Sequence, residues 1–177
     1  CNPISSNTAT VTVVADPSIA TQPVSPAVSC IGSTPSISVV AAGGTPSLTY
    51  QWYSNTTDSN SGGTLISGAT TSSYNPPTVA AGTLYYYCTV SASGAGCNPI
   101  SSNTATVTVV ADPSIATQPV SPAVSCIGST PSISVVAAGG TPSLTYQWYS
   151  NTTDSNSGGT LISGATTSSY NPPTVAA

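Results

Sequence analysis

The sequence contains no lysine, arginine, histidine, glutamate, phenylalanine or methionine. Its ionisable side chains are Asp16, Asp58, Asp112 and Asp154, five cysteines and nine tyrosines, and its net charge is −4 over 177 residues. Without His, Lys, Arg or Glu there is no ordinary general base poised near neutrality and no cation to hold an oxyanion. No nucleophile–base pair can be assembled, so an enzyme is not expected, nor is a cofactor. Nucleic acid needs a positive field and is not expected as a partner. An anionic membrane surface repels the chain for the same reason. No run approaches the roughly 18 to 20 apolar residues of a membrane helix, so membrane insertion is not expected either. Lys–Asn isopeptide cross-links are impossible. Trypsin-like proteases find no cleavage site, which suits an extracellular or cell-surface life.

What is present is not the composition of a disordered chain. The apolar fraction is 38% and rich in β-branched and aromatic residues, with 16 Pro and 15 Gly as punctuation. Residues 1–81 recur without a change as residues 97–177, a period of 96. That period is too long for a solenoid unit, which runs to about 20–45 residues. It matches one β-sandwich domain of about 100 residues, so each repeat should bury its own core. The expected divisions are residues 1–15 as the last strand of a preceding repeat and 16–111 as a complete repeat. Residues 112–177 are then a further repeat whose last two strands are not in this sequence.

Strand signals come from alternation. Ala105, Val107 and Val109 alternate with threonines over 104–110. Ile37, Val39 and Ala41 share one face, as do Leu48, Tyr50 and Trp52, and Leu84, Tyr86, Cys88 and Val90. Breakers separate the runs at Gly43-Gly44-Thr45-Pro46, Ser61-Gly62-Gly63, Asn75-Pro76-Pro77 and Ser93-Gly94-Ala95-Gly96, where Gly frees φ and Pro fixes it. No segment carries a helical apolar stripe with caps. The fold class is all-β. Strand A is placed near 18–26, B at 35–42, C at 48–54, C′ to E within 64–75, F at 84–92 and G at 98–110.

Three features point to tandem immunoglobulin-like β-sandwich domains. Trp52 sits in a Tyr-Gln-Trp-Tyr strand, the place of the core Trp on strand C. Val39 lies 13 residues earlier, where such domains often carry the strand-B cysteine. Tyr86 precedes Cys88 by two residues, as in a tyrosine corner. Val39, Trp52 and Tyr86 are therefore expected core residues. The strings Leu-Thr-Tyr-Gln-Trp-Tyr-Ser-Asn-Thr-Thr (48–57), Gly-Gly-Thr-Leu-Ile-Ser-Gly-Ala-Thr (62–70) and Ser-Asn-Thr-Ala-Thr-Val-Thr-Val (102–109) resemble the Ig-like repeats of very large surface proteins of Bacteroidetes. The flavobacterial members are similar to gliding and attachment adhesins exported by the type IX secretion system. The resemblance covers the whole repeat and carries no catalytic residues.

One repeat holds Cys30, Cys88 and Cys97, with Cys126 and Cys1 as the copies of the first and last. Secreted domains usually use such cysteines as staples. Val39 replaces the usual partner of Cys88, so the standard inter-sheet bond cannot form. The open alternatives are a Cys30–Cys88 bond, a staple between domains or chains through Cys30 and Cys97, and buried thiols. Asp58-Ser-Asn-Ser-Gly-Gly63 has one carboxylate where calcium wants six to eight oxygens, so it reads as a polar turn and no metal is expected. Tyr53, Tyr85 and Tyr87 should lie on the outer face of the C–F–G sheet, as cross-strand pairs, a lateral contact or a sugar face. Asn55-Thr56-Thr57 and Asn151-Thr152-Thr153 match the N-glycosylation pattern.

The leading expectation is a structural extracellular filament or adhesin stalk, with neighbouring repeats and neighbouring chains as partners. A carbohydrate- or surface-binding adhesin using the tyrosine face, with glycan contacts, is the alternative. A third reading is a pilus-like fibre assembled by strand donation.

Overall fold

The computed structural model describes residues 1–45, 47–93, 97–122, 126–140 and 143–173. Pro46 and the expected turn at 94–96 lie outside the described residues. The chain divides into two compact units, Cys1–Val109 and Val110–Ala177.

Among the described residues of the first unit ten strands follow one another: β1 (Ser18–Thr21), β2 (Ser29–Cys30), β3 (Ile37–Ser38), β4 (Val40–Ala42), β5 (Leu48–Asn55), β6 (Thr64–Leu65), β7 (Ser73–Tyr74), β8 (Gly82–Ala92), β9 (Ile100–Ser101) and β10 (Ala105–Val110). One layer has the order β2-β10-β8-β5-β6, with β9 also on β8. The other is made by β1 on β4 and β3 on β7. Between β3 and β4, the Val39 N–H donates to Ser72 O at 2.9 Å, so the two short pieces act as one strand. The long pair is β5 with β8, antiparallel, with Trp52 opposite Cys88 and Tyr53 opposite Tyr87.

The core lies between these layers. Ile37, Val39, Trp52, Tyr86, Cys88, Val90, Ala105, Val107 and Val109 are all buried, and Ile19, Leu48, Tyr50 and Tyr74 pack against them. Strand β10 shows the alternation directly, with Ala105, Val107 and Val109 buried and Thr106 and Thr108 half-exposed. Trp52 and Tyr74 stack with ring centres 6.2 Å apart, and Tyr74 meets Tyr86 at 5.8 Å.

Two expected strands are broken. Strand A, placed at 18–26, is β1 on one layer and β2 on the other. Pro23 and Pro26 interrupt it because each lacks an N–H for a ladder. Side chains bridge the gap: Gln22 Oε1 accepts the Asn103 N–H at 2.8 Å and Ser25 Oγ accepts the Thr106 N–H at 2.9 Å. Strand G, placed at 98–110, divides into β9 and β10 around Ser102. The Ser102 hydroxyl accepts the Cys88 N–H at 3.0 Å and donates to Asn103 O at 2.7 Å. Leu84, expected inside, is partly exposed at the end of its sheet.

The second unit repeats the sequence of residues 16–81 but not all of its structure. Its strands are β11 (Ser114–Thr117), β12 (Ile133–Ser134), β13 (Val136–Ala138), β14 (Tyr149–Ser150), β15 (Thr160–Leu161) and β16 (Ser169–Tyr170). The β11–β13 pair keeps even the irregularity of β1–β4. Yet the counterpart of β5 shrinks from eight residues to two. Among the described residues of this unit, no strand occupies the place β8 takes in the first, so the ladder has one side only. Trp148 is half-buried where Trp52 is fully enclosed.

Residues 1–15, read from sequence as the last strand of a preceding repeat, form no strand here and are exposed throughout. Val11 and Val13 are 85% and 89% exposed, whereas their copies Val107 and Val109 are 3% and 6% exposed. The difference is the neighbour: Val107 and Val109 lie opposite Leu84 and Gly82 of β8. A strand needs a partner for its backbone groups, and an isolated one has none.

Candidate functional site

The outer face of the β8–β5 sheet carries Tyr85, Tyr87 and Tyr53. Tyr53 and Tyr87 are directly opposed and stacked, with ring centres 5.1 Å apart and planes 7° from parallel. All three lie on the expected face, but that face is not open. Tyr87 is only 4% exposed, and Tyr53 and Tyr85 are half-buried. The turn between β5 and β6 folds over Tyr87, whose hydroxyl oxygen accepts the Gly63 N–H at 3.1 Å. A Cβ on Gly63 would sit 2.9 Å from the Tyr87 ring and 2.8 Å from Ser54 O. Only glycine lets the backbone lie that close.

Asn55 organises the same turn. Its Nδ2 donates to Ser59 O at 3.0 Å and Ser61 O at 3.2 Å, while its Oδ1 accepts from the Thr57 N–H and hydroxyl, both at 3.2 Å. All its polar atoms are engaged, and Asn151 repeats the arrangement with Ser155, Ser157 and Thr153. The Asn-Thr-Thr string is thus an Asx turn. In the folded state its Nδ2 is not free to take a glycan. Asp58, in the stretch weighed as a calcium loop, accepts a hydrogen bond from the Thr104 hydroxyl. Among the described residues there is no group of three or more metal-ligating side chains.

Asp16 does structural work at the opposite end. Its carboxylate accepts the Asn98 N–H at 3.1 Å and Asn98 Nδ2 at 3.4 Å. Beside it, the Gly44 N–H donates to Ala15 O at 3.0 Å. In the second unit Gly140 N–H donates to Ala111 O at 2.8 Å, one residue after β10 ends at Val110. Sequence reading missed Asp16 and Ser102. A lone Asp before Pro, or a Ser inside a strand, has no signature until its distant partner is known.

All five cysteines are thiols. Cys88 is fully buried opposite Trp52, and Cys97 is half-buried, while Cys1, Cys30 and Cys126 are exposed. Burial pushes the Cys88 thiol up to about 11, although a backbone hydrogen bond involving Gln51 pulls the other way. The thiolate is the reactive form, so Cys88 is inert near neutrality. Alkylation with iodoacetamide at about pH 8 is expected to modify Cys1, Cys30 and Cys126 first and to spare Cys88 until the chain unfolds. Peptide mass mapping checks this, and labelling of Cys88 at the rate of Cys30 would contradict the enclosed core.

Residues 22–111 match the family described as Domain of unknown function (DUF8696). The chain belongs to this family. The match begins after β1 and ends just past β10, so the DUF8696 region holds nearly all of the first unit's two layers. No curated protein matches the sequence. Among solved structures the chain is similar to the I-band fragment I67–I69 from titin, at 16% identity and a TM-score of 0.55, over 86% of this chain and 49% of that one. It is also similar to immunoglobulin domains 1–4 of Sidekick-1, at 21% identity and a TM-score of 0.51, over 77% of this chain and 35% of that one. The chain thus spans a third to a half of the length of these structures. At such identities the likeness establishes the fold: tandem immunoglobulin-like β-sandwiches. Among the described residues no helix is long and apolar enough to cross a membrane.

Proposed function

We propose that the protein is a non-enzymatic structural element of the extracellular surface, a filament or adhesin stalk built from identical Ig-like repeats of the kind seen in surface proteins of Bacteroidetes. The observation that carries this reading is the use made of its polar groups. Asp16, Asp58, Asn55, Ser102 and the Tyr87 hydroxyl each hold one loop or strand to another. Among the described residues no three metal-ligating side chains converge on one place. Repetition of such a unit adds length, roughly 25 Å of strand plus loops per repeat.

Cys30, which is exposed, and Cys97, which is half-buried, are the residues through which oxidised copies would staple repeats or chains; the buried Cys88 is not. The sugar-gripping alternative has to rest on Tyr53 and Tyr85, since Tyr87 is covered. Electron microscopy of native, unreduced material tests the proposal. Extended strings or fibres with an axial period of one or two domains are expected, and compact particles would overturn it.

A further inference from the structure

The connection from β6 to β7, which crosses from one layer to the other, is concave. In the first unit Ser67, Ala69, Thr71, Ser73, Tyr74 and Asn75 line an open recess of about 470 Å³. Their copies Ser163, Ala165, Thr167, Ser169, Tyr170 and Asn171 line another of about 350 Å³ in the second. Both volumes fall in the range of ligand clefts, about 300–1,000 Å³.

Backbone hydrogen bonds fix the recess. The Ala69 N–H donates to Ile66 O at 3.2 Å and the Thr70 N–H to Gly68 O at 3.0 Å, which closes the turn. The Ala69 and Thr71 carbonyls accept the main-chain N–H and the Nε1–H of Trp52, at 3.0 and 2.9 Å. Ser72 O accepts the Val39 N–H at 2.9 Å, and Tyr74 pairs with Ile37. Trp148 and Val135 repeat the last three bonds at 3.0, 2.9 and 2.9 Å, and Tyr170 pairs with Ile133. The recess is thus a local property of residues 66–75 and their anchors, built in advance of any ligand.

Its lining selects a chemistry. Tyr74 is half-buried and backs onto Trp52 with ring centres 6.2 Å apart, as Tyr170 does onto Trp148 at 6.1 Å. Around this ring stand the exposed hydroxyls of Ser67, Thr71 and Ser73 and the exposed Asn75 amide. Such groups both donate and accept. The Thr71 hydroxyl donates to Ser73 O at 2.7 Å, which leaves its oxygen to accept. No charged side chain lines the recess, so neither an anion nor a cation finds a counter-charge there. What matches is a neutral, rigid molecule with many hydroxyls and one apolar face to rest against a ring.

We propose that this recess binds neutral saccharide, one site per repeat, on a different part of the surface from Tyr53 and Tyr85. A site this open encloses little of a sugar ring, so each contact is weak. Repetition compensates, because linked sites on one polysaccharide gain about 10²–10⁴ in avidity.

Electrophoresis of the native 177-residue chain through gels cast with a mannan, a xylan or a β-glucan tests this. With net charge −4 the chain runs to the anode, and a neutral polymer retards it relative to a non-binding marker protein only by binding. Retardation that grows with polymer concentration is expected for at least one of the three. Losing one hydrogen bond per site in the double variant Asn75→Ala, Asn171→Ala should weaken it about three- to tenfold. Ser67→Ala with Ser163→Ala is a second variant, read the same way, and all four residues are exposed, so the fold should survive. No retardation by any of the three polymers, or unchanged retardation in both variants, overturns the site. Equal retardation by polygalacturonate, an anionic chain, overturns it too. The proposal does not depend on the spacer reading: its failure leaves the strings in the microscope, whereas failure of the spacer reading leaves compact particles that still bind.

Discussion

Trp52→Ala is expected to cost the first repeat about 3–5 kcal/mol, the range for emptying a large aromatic site in a packed core. Trp52 is the largest fully buried side chain, and its Nε1–H donates to Thr71 O at 2.9 Å. A domain of this size has about 5–15 kcal/mol in total, so the loss removes a large part of its stability. The same change at Trp148, which keeps its hydrogen bond to Thr167 O at 2.9 Å but is half-exposed, should cost under about 2 kcal/mol. Urea unfolding of the two variants, followed by near-ultraviolet circular dichroism, separates them. Equal losses would mean that β8 is not what closes the core over the tryptophan.

Gly43→Val is expected to lower the melting temperature by about 10 °C or more. Gly43 has φ +74°, and a Cβ there would lie 2.7 Å from Asp16 O, a backbone atom that cannot swing away. A β-branched residue at positive φ adds strain of about 1–3 kcal/mol. Displacing Asp16 also removes its two hydrogen bonds to Asn98. Gly32→Ala is the comparison: φ is +80°, but nothing lies within 4 Å of the new Cβ. Only the conformational penalty applies, and the fall should be a few degrees. Scanning calorimetry reads both, and equal falls would show that the close approach to Asp16 is not what costs stability.

Much of the sandwich was legible because its strands obey period two. Ala105, Val107 and Val109 announce their face, and Tyr-Gln-Trp-Tyr announces its strand. The breaks at Pro23 and Pro26 were legible too, had the missing N–H groups been weighed against a continuous strand A. Burial of Tyr87 was harder to read: alternation gives the face of a residue, not whether a distant turn will cover that face. Asn55 misled because its three-residue string serves both as an Asx turn and as a glycosylation acceptor. Most instructive is the pair of identical segments 1–15 and 97–111. One is exposed coil and the other a core strand.

The hydrogen bonds to Asp16 and Asp58 come from an amide, a backbone N–H and a hydroxyl, never from a cation, since the side chains include none. Dissolved salt weakens attractions between opposite charges over distances of about 10 Å at 0.1 M, and there are none of these between side chains for it to weaken. The architecture is knitted from hydrogen bonds and buried hydrocarbon, with no pair of oppositely charged side chains. Its stability is therefore expected to change little between low and moderate salt.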